Sequence, residues 1–209
     1  VVTHAGINAG DDGMSAQGIE DLSLMCALPS FTVVVPADAP EAVKAVEAAA
    51  KTNGPFYIRL SRSATPIIHD EGFSFKIGVA ESLRDGKHAT IIACGVMTKL
   101  ALDASETLAD NGIQCRVLNI STLQPVDADA IVRAAKETGA IVTAEEHLRH
   151  GGLGSIVAQT VGERFPIPLE TVALTTYAES GDPSLLMEKY GLTAQAIVSA
   201  VNRVIDRKK

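Results

Sequence analysis

The 209-residue chain is 46% hydrophobic with a formal charge of -7 and a pI near 5.2. That supplies apolar material for one large or two small cores and excludes a disordered chain. The acidic balance, with no Lys/Arg run before the last few residues, excludes nucleic acid and an anionic membrane as partners. No apolar stretch approaches the roughly 20 residues of a spanning helix and no signal-peptide layout opens the chain, so a cytoplasmic protein is expected, its Cys26, Cys94 and Cys115 buried as free thiols.

The chain begins without Met on Val1-Val2, which reads as strand interior, and an upstream segment or another chain is expected to cover that edge. Residues 1–4 read as a strand end and residues 5–14, with Gly6, Gly10, Asp11, Asp12 and Gly13, as a loop. Ser15 is the expected cap of a helix carrying Ile19, Leu22, Met25 and Cys26 at helical spacing, stopped by Pro29. Residues 31–35 form a strand. Asp38 and Glu41 read as a capping box for an Ala/Val-rich helix that ends at Asn53-Gly54. Residues 56–60 return as a strand that delivers Ser61 and Arg62 at its carboxyl end.

The irregular stretch 63–75, with Pro66, Asp70 and Gly72, marks a boundary, giving units 1–66 and 76–209 joined by a linker at 67–75. Beyond it, residues 78–83 and 90–93 read as a hairpin-like pair turning at Asp85-Gly86. Strands at 90–94, 115–119, 140–144 and 170–174 then alternate with helices at 98–111, 127–138, 152–164 and 193–207. Such alternation specifies α/β architecture with a mostly parallel sheet.

The run Thr3-His4-Ala5-Gly6-Ile7-Asn8-Ala9-Gly10-Asp11-Asp12-Gly13-Met14-Ser15-Ala16-Gln17-Gly18-Ile19-Glu20-Asp21 resembles the transketolase signature around its D-G-x-[ST]-H-Q segment. Leu28-Pro29, Pro36-Ala37-Asp38 and Leu60-Ser61-Arg62 follow in that family's order, and Thr143-Ala144-Glu145-Glu146-His147 leading to Gly151-Gly152-Leu153-Gly154-Ser155 resembles its carboxy-terminal domain. The wording is nearest to the smaller subunit of split transketolases. The resemblance implies the back half of a thiamine-diphosphate pyrimidine-binding module followed by a three-layer α/β/α transketolase C-terminal domain. It also implies transfer of a two-carbon ketol unit between sugar phosphates, as in the pentose phosphate pathway, with thiamine diphosphate and Mg2+ shared with or supplied by an amino-terminal complement.

Under that resemblance His4 is the catalytic histidine that contacts substrate and assists proton movement. Asp12 contacts a donor hydroxyl, and Ser61 with Arg62 holds the sugar phosphate, a planar guanidinium suiting a phosphate. Cofactor-binding residues are expected mainly upstream of Val1 and on a partner, and no metal site is expected here. His147 and His150, near Glu145 and Glu146, have a spacing that a metal would tolerate, but the family uses that stretch without one. The glycine-rich run from Gly151 would suit phosphate at a helix start; tight strand-to-helix packing is the preferred reading. The Glu179 to Pro183 run reads as structural, and the Ala-rich helices at 41–51 and 128–136 as core and dimer contacts.

Two departures limit the activity. Ala16 stands where the family has the histidine that contacts the ketol hydroxyl, leaving altered donor use, recruitment of another side chain such as Gln17, or lost catalysis. The glutamate that activates the aminopyrimidine lies upstream of this region. The chain is therefore expected to work as part of a homodimer or heterotetramer. The alternatives are a deoxyxylulose-5-phosphate synthase fragment, a 2-oxo-acid dehydrogenase beta-type fragment, a non-catalytic assembly module and a freestanding nucleotide-binding domain.

Overall fold

Asp38 caps a helix because its side chain can take the place of the missing turn: Oδ1 accepts the Glu41 N–H at 3.0 Å, and Glu41 returns Oε2 to the Ala37 N–H at 2.7 Å. Similar local chemistry delimits the other elements of this computed structural model, which describes residues 1–70 and 72–208. The first unit runs β1 (Val2–Ala5), a 3-10 segment (Ile7–Asp12), α1 (Asp21–Cys26), β2 (Thr32–Val34), α2 (Ala39–Ala50) and β3 (Phe56–Ser61). The second begins β4 (Glu81–Arg84), β5 (Ala89–Ala93), α3 (Met97–Asp110), β6 (Cys115–Asn119), β7 (Thr122–Gln124) and α4 (Ala128–Thr138). It finishes β8 (Ile141–Leu148), α5 (Leu153–Arg164), β9 (Leu169–Leu174), α6 (Pro183–Lys189) and α7 (Ala194–Asp206).

Two sheets result, in the orders β1-β3-β2-β7 and β4-β6-β5-β8-β9. β5 is buried along its whole length, so both of its faces need cover. Ile91 and Ala93 face a core with Met97, Ala101, Leu108, Val201 and Val204 of α3 and α7. Ile92 and Cys94 face the other way, onto Ile131 and Ala135 of α4 and Leu153 and Val157 of α5. This alternation produces the three layers.

The two units are interleaved. Ile7 and Ile19 belong to the core under α3 and α7, while Leu22, Val33 and Val35 belong to the core under α4 and α5. β7 leaves the second unit to pair antiparallel with β2, Val33 opposite Gln124, and the Gln124 amide donates to the carbonyls of Leu28 and Phe31 at 2.7 and 2.9 Å.

Several expectations are corrected. The strand at 81–84 does not form a hairpin with the strand at 89–93; it pairs antiparallel with β6, and β6 lies between them. A side chain at Gly86 would strike the backbone of Cys115 and Arg116, so the Asp85-Gly86 turn lets the chain cross over β6. Ser15 caps nothing: residues 14–16 are turns and the helix begins at Asp21 with Glu20 at its cap position. The α2 helix ends at Ala50, before Asn53-Gly54. The Glu179 to Pro183 stretch leads into α6, capped by Asp182 with Pro183 in its first turn.

Candidate active site

β1 and β3 are parallel neighbours, with Val2 opposite Arg59 and Ala5 opposite Ser61. Their carboxyl ends therefore emerge side by side, carrying the 3-10 segment from one strand and Ser61-Arg62-Ser63 from the other. Arg62 reaches across the gap. Its Nη1 donates to Ala9 O at 2.5 Å and to Asp12 Oδ2 at 2.8 Å. Two of the residues singled out in the sequence thus form one ion pair, each side chain a little over two-fifths exposed.

Ser61 lies behind this pair, its hydroxyl within reach of Asn8 Oδ1 at 3.1 Å and Ser63 O at 3.0 Å. His4 is exposed at the end of β1. Its backbone has φ 65, a conformation that non-glycine residues seldom adopt, and its Nδ1 is 2.8 Å from Thr3 Oγ1. The structure gives His4 no direct bond to Asp12, Ser61 or Arg62 among the described residues.

Residues that sequence reasoning did not assign hold this surface in place. Glu146, near the carboxyl end of β8, accepts the Asn8 N–H at 2.7 Å and the Asn8 amide at 2.9 Å. Burial pushes its carboxyl up to about 7, against the opposing pull of the Arg59 charge. Arg59 is buried and donates to both oxygens of Asp21, at 2.7 and 3.2 Å. It also donates to Gly18 O at 2.8 Å and Glu146 O at 3.1 Å. The signal for Glu146 was present in the sequence as two acids closing an apolar strand, a costly placement unless donors await them.

Glu145 points the other way and decides the glycine-rich run. Its oxygens accept the N–H groups of Leu153 and Gly154 at 2.7 and 2.8 Å. The carboxylate thereby occupies the start of α5 that a phosphate would need, which supports the packing reading. Burial raises the Glu145 carboxyl to about 7 against those two bonds. His147 is buried with Nδ1 2.7 Å from Leu148 O, whereas His150 is exposed. The structure therefore does not bring the two histidines together as ligands, and no three His, Cys, Asp or Glu side chains among the described residues form a metal-binding group. Gln17 is buried, with Nε2 donating to Glu179 O at 3.1 Å and Oε1 lacking a hydrogen-bond partner among the described residues. Cys26, Cys94 and Cys115 are free, the first half-buried and the others buried, and burial pushes the Cys26 and Cys115 thiols up to about 11.

The fold and the site together define an α/β protein whose polar groups gather at the carboxyl ends of parallel strands, where two interleaved units meet. A family described as "Transketolase, pyrimidine binding domain" matches residues 1–67, and one described as "Transketolase, C-terminal domain" matches residues 78–197. The chain belongs to the transketolase family. It is 42% identical over 204 residues to the 6-deoxy-6-sulfo-D-fructose transketolase subunit SqwH of Clostridium sp. (strain MSTE9), a match covering 97% of this chain and 63% of the relative. It is 36% identical over 208 residues to Transketolase-like protein 2 of Mus musculus, covering 98% of this chain and 33% of that protein. Among solved structures it resembles a split gene transketolase, inactive beta4 tetramer, with TM-score 0.94 and 44% identity, covering 100% of this chain and 67% of the other. The chain thus spans between one third and two thirds of the curated relatives named here.

Proposed function

We propose that this chain is the carboxy-terminal part or subunit of a thiamine-diphosphate-dependent transketolase, moving a two-carbon ketol unit between sugar phosphates only when joined by an amino-terminal complement. The observation that carries the reading is the meeting of Arg62 with Asp12 where β1 and β3 end. Arg62 is the anion anchor, with Ser61 behind it, Asp12 the contact for a donor hydroxyl, and His4 the exposed proton-handling group. An imidazole suits that task because one ring nitrogen can accept a proton while the other holds one.

Thiamine diphosphate supplies the ylid that carries the ketol unit. The family likeness assigns the donor set for its diphosphate and Mg2+ to the amino-terminal complement. This chain's own part is to bind, orient and hold protons on the substrate side. Relatives named as a subunit and as a split gene product support division of the enzyme between two chains, in a dimer or heterotetramer. The units 1–66 and 76–209 are assigned to the pyrimidine-binding and C-terminal domains, with 67–75 between them.

A sulfonated sugar is the second substrate class. The Asp12 carboxylate beside Arg62 leaves the anchor with little net positive charge, which suits a singly charged sulfonate better than a dianionic phosphate, and one relative is named for a sulfo-fructose substrate.

The test combines the chain with its matching amino-terminal subunit, thiamine diphosphate and Mg2+, and follows ketol transfer from pentose phosphates and from a 6-sulfo-ketose. Transfer from either supports the reading. Consumption of pyruvate without ketol transfer would establish the synthase or 2-oxo-acid class instead. A stable complex with no cofactor-dependent turnover would make the chain an assembly module, as Ala16 allows.

A further inference from the structure

We propose that Glu146 and Asn8 form a positioning pair through which the second unit sets the geometry of the Arg62–Asp12 anion anchor. The inference rests on the substrate-side role proposed above.

β8 outruns its neighbour β5 while staying paired to β9, with a register irregularity before Leu148 meets Leu174. Its pairing with β5 ends at Ala144, yet the strand continues to Leu148, whose N–H donates to Ile19 O at 3.0 Å. This extension carries Glu146 under the 3-10 segment. A side chain at Gly6 would collide with the Glu146 carboxyl, so the approach depends on that glycine, which also sits at φ 82.

The chain of contacts then runs in one direction. Glu146 holds Asn8 by its main-chain N–H and by its side-chain amide. That fixes the amide with Oδ1 facing Ser61 Oγ at 3.1 Å. Asn8 O stands 3.4 Å from Ser63 Oγ, and the next carbonyl, Ala9 O, receives Arg62. Ser61, Arg62 and Ser63 are therefore each held by Asn8 or Ala9, and Asn8 is held by Glu146. Glu146 Oε1 already accepts the Asn8 N–H, and Oε2 accepts Nδ2 of the same residue, which turns Oδ1 toward Ser61. The arrangement follows from hydrogen-bond polarity, beyond simple space filling.

Polarity also supplies the test. Asn8→Asp places a carboxylate against Glu146, leaving two acceptors face to face at a pH well above 7, where Glu146 is ionised, and the kinetic comparison is made there. Adding Glu146→Gln restores complementarity: the amide introduced on β8 donates to the carboxylate introduced on the 3-10 segment, whose other oxygen still accepts from Ser61. In the reconstituted complex, Asn8→Asp is expected to raise KM for the anionic donor by about 10-fold, the value of one charge-assisted hydrogen bond, with KM for a non-anionic ketose unchanged. The double variant is expected to return KM to within about 3-fold of the parent, the margin left by imperfect geometry. Equal losses for anionic and non-anionic donors, or no recovery in the double variant, overturn the proposal. Should Asn8→Asp fail to fold, Asn8→Ala keeps the main-chain bond to Glu146 and removes the side-chain bonds to Glu146 and Ser61, and the same selective rise in KM is required of it.

Hydrogen exchange on the chain alone separates this idea from the proposed function. Loosening of residues 7–12 and 61–63 in Asn8→Asp, reversed in the double variant, supports the positioning pair even where the parent complex shows no ketol transfer. Unchanged exchange in Asn8→Asp overturns it whatever the complex catalyses.

Discussion

Arg62 donates to Asp12 Oδ2 at 2.8 Å, joining the end of β3 to the end of the 3-10 segment that follows β1. Nη1 is taken up by this bond and by Ala9 O, while Asp12 keeps a second oxygen for another donor. An anion arriving at Arg62 must therefore compete with a carboxylate already in place.

That competition gives the first prediction. An exposed ion pair is worth roughly 0.2–1 kcal/mol, so Asp12→Asn is expected to tighten inhibition by inorganic phosphate by about 2- to 5-fold. The same variant loses kcat, since Asp12 is also assigned to the donor hydroxyl. Steady-state inhibition of the reconstituted complex at low and high salt checks both effects, and the phosphate gain is expected to shrink at high salt. Weaker phosphate inhibition in Asp12→Asn would show that Asp12 assists the anion and does not oppose it.

A second prediction concerns pH. His69 Nδ1 lies 2.9 Å from Asp38 Oδ1 and its Nε2 lies 2.7 Å from Glu81 Oε2. Carboxylates accept and do not donate, so both ring nitrogens carry hydrogen when both contacts are made. Burial opposes the charged ring, but the hydrogen bonds to Asp38 and Glu81, with the Glu41 charge nearby, outweigh it and raise the pKa above 6.5. The contribution is therefore complete below pH 6.5 and lost as pH rises through the raised value. Asp38 behaves oppositely: burial alone would raise it, yet the Glu41 N–H and His69 bonds hold it below 3.8, so its share disappears at strongly acid pH. Melting temperatures measured from pH 5 to 9 are expected to fall with pH in the parent more than in His69→Gln. Parallel curves would rule out the charged clasp.

The glycine-rich turn offers a third prediction, this time steric. A Cβ at Gly152 would lie 2.8 Å from Glu145 Cδ and His147 Nδ1, and neither neighbour can retreat, since Glu145 is fixed by two amides. Gly152→Ala is expected to cost about 1–3 kcal/mol, the range for overpacking. Gly162, further along α5, has nothing within 4 Å of its Cβ position. Gly162→Ala is expected to stabilise by up to about 1 kcal/mol through helix propensity. Urea denaturation of the two variants checks the contrast in sign.

The fourth prediction concerns the buried pair under the site. Arg59 binds Asp21, Gly18 O and Glu146 O, and Tyr57 OH donates to the same Asp21 at 2.7 Å. Arg59→Leu leaves Asp21 without its cation and is expected to cost about 3–5 kcal/mol. Burial would raise the Asp21 carboxyl, but the Arg59 charge together with the hydrogen bonds from Arg59 and Tyr57 outweighs it and lowers the pKa below 3.8. The pair's contribution is thus present above pH 3.8 and lost as pH falls through the lowered value. Denaturation at pH 7 and pH 4 should show the smaller deficit at pH 4, where Asp21 of the variant can take up a proton and shed its uncompensated charge.

The sequence by itself determined the α/β class, the family and most element positions, because apolar periodicity and the Asp38–Glu41 capping box act over a few residues. It also pointed to Asp12, Ser61 and Arg62 through a motif. It did not reveal that β4 pairs with β6, since strand order depends on which crossover covers which face, nor that β7 leaves to join β2. The partners of Glu145 and Glu146 were equally hidden: neighbours on one strand point to opposite faces, one toward α5 and the other toward Asn8. Only the tertiary structure decided these, because a buried carboxylate takes its role from the donors that distant segments bring to it.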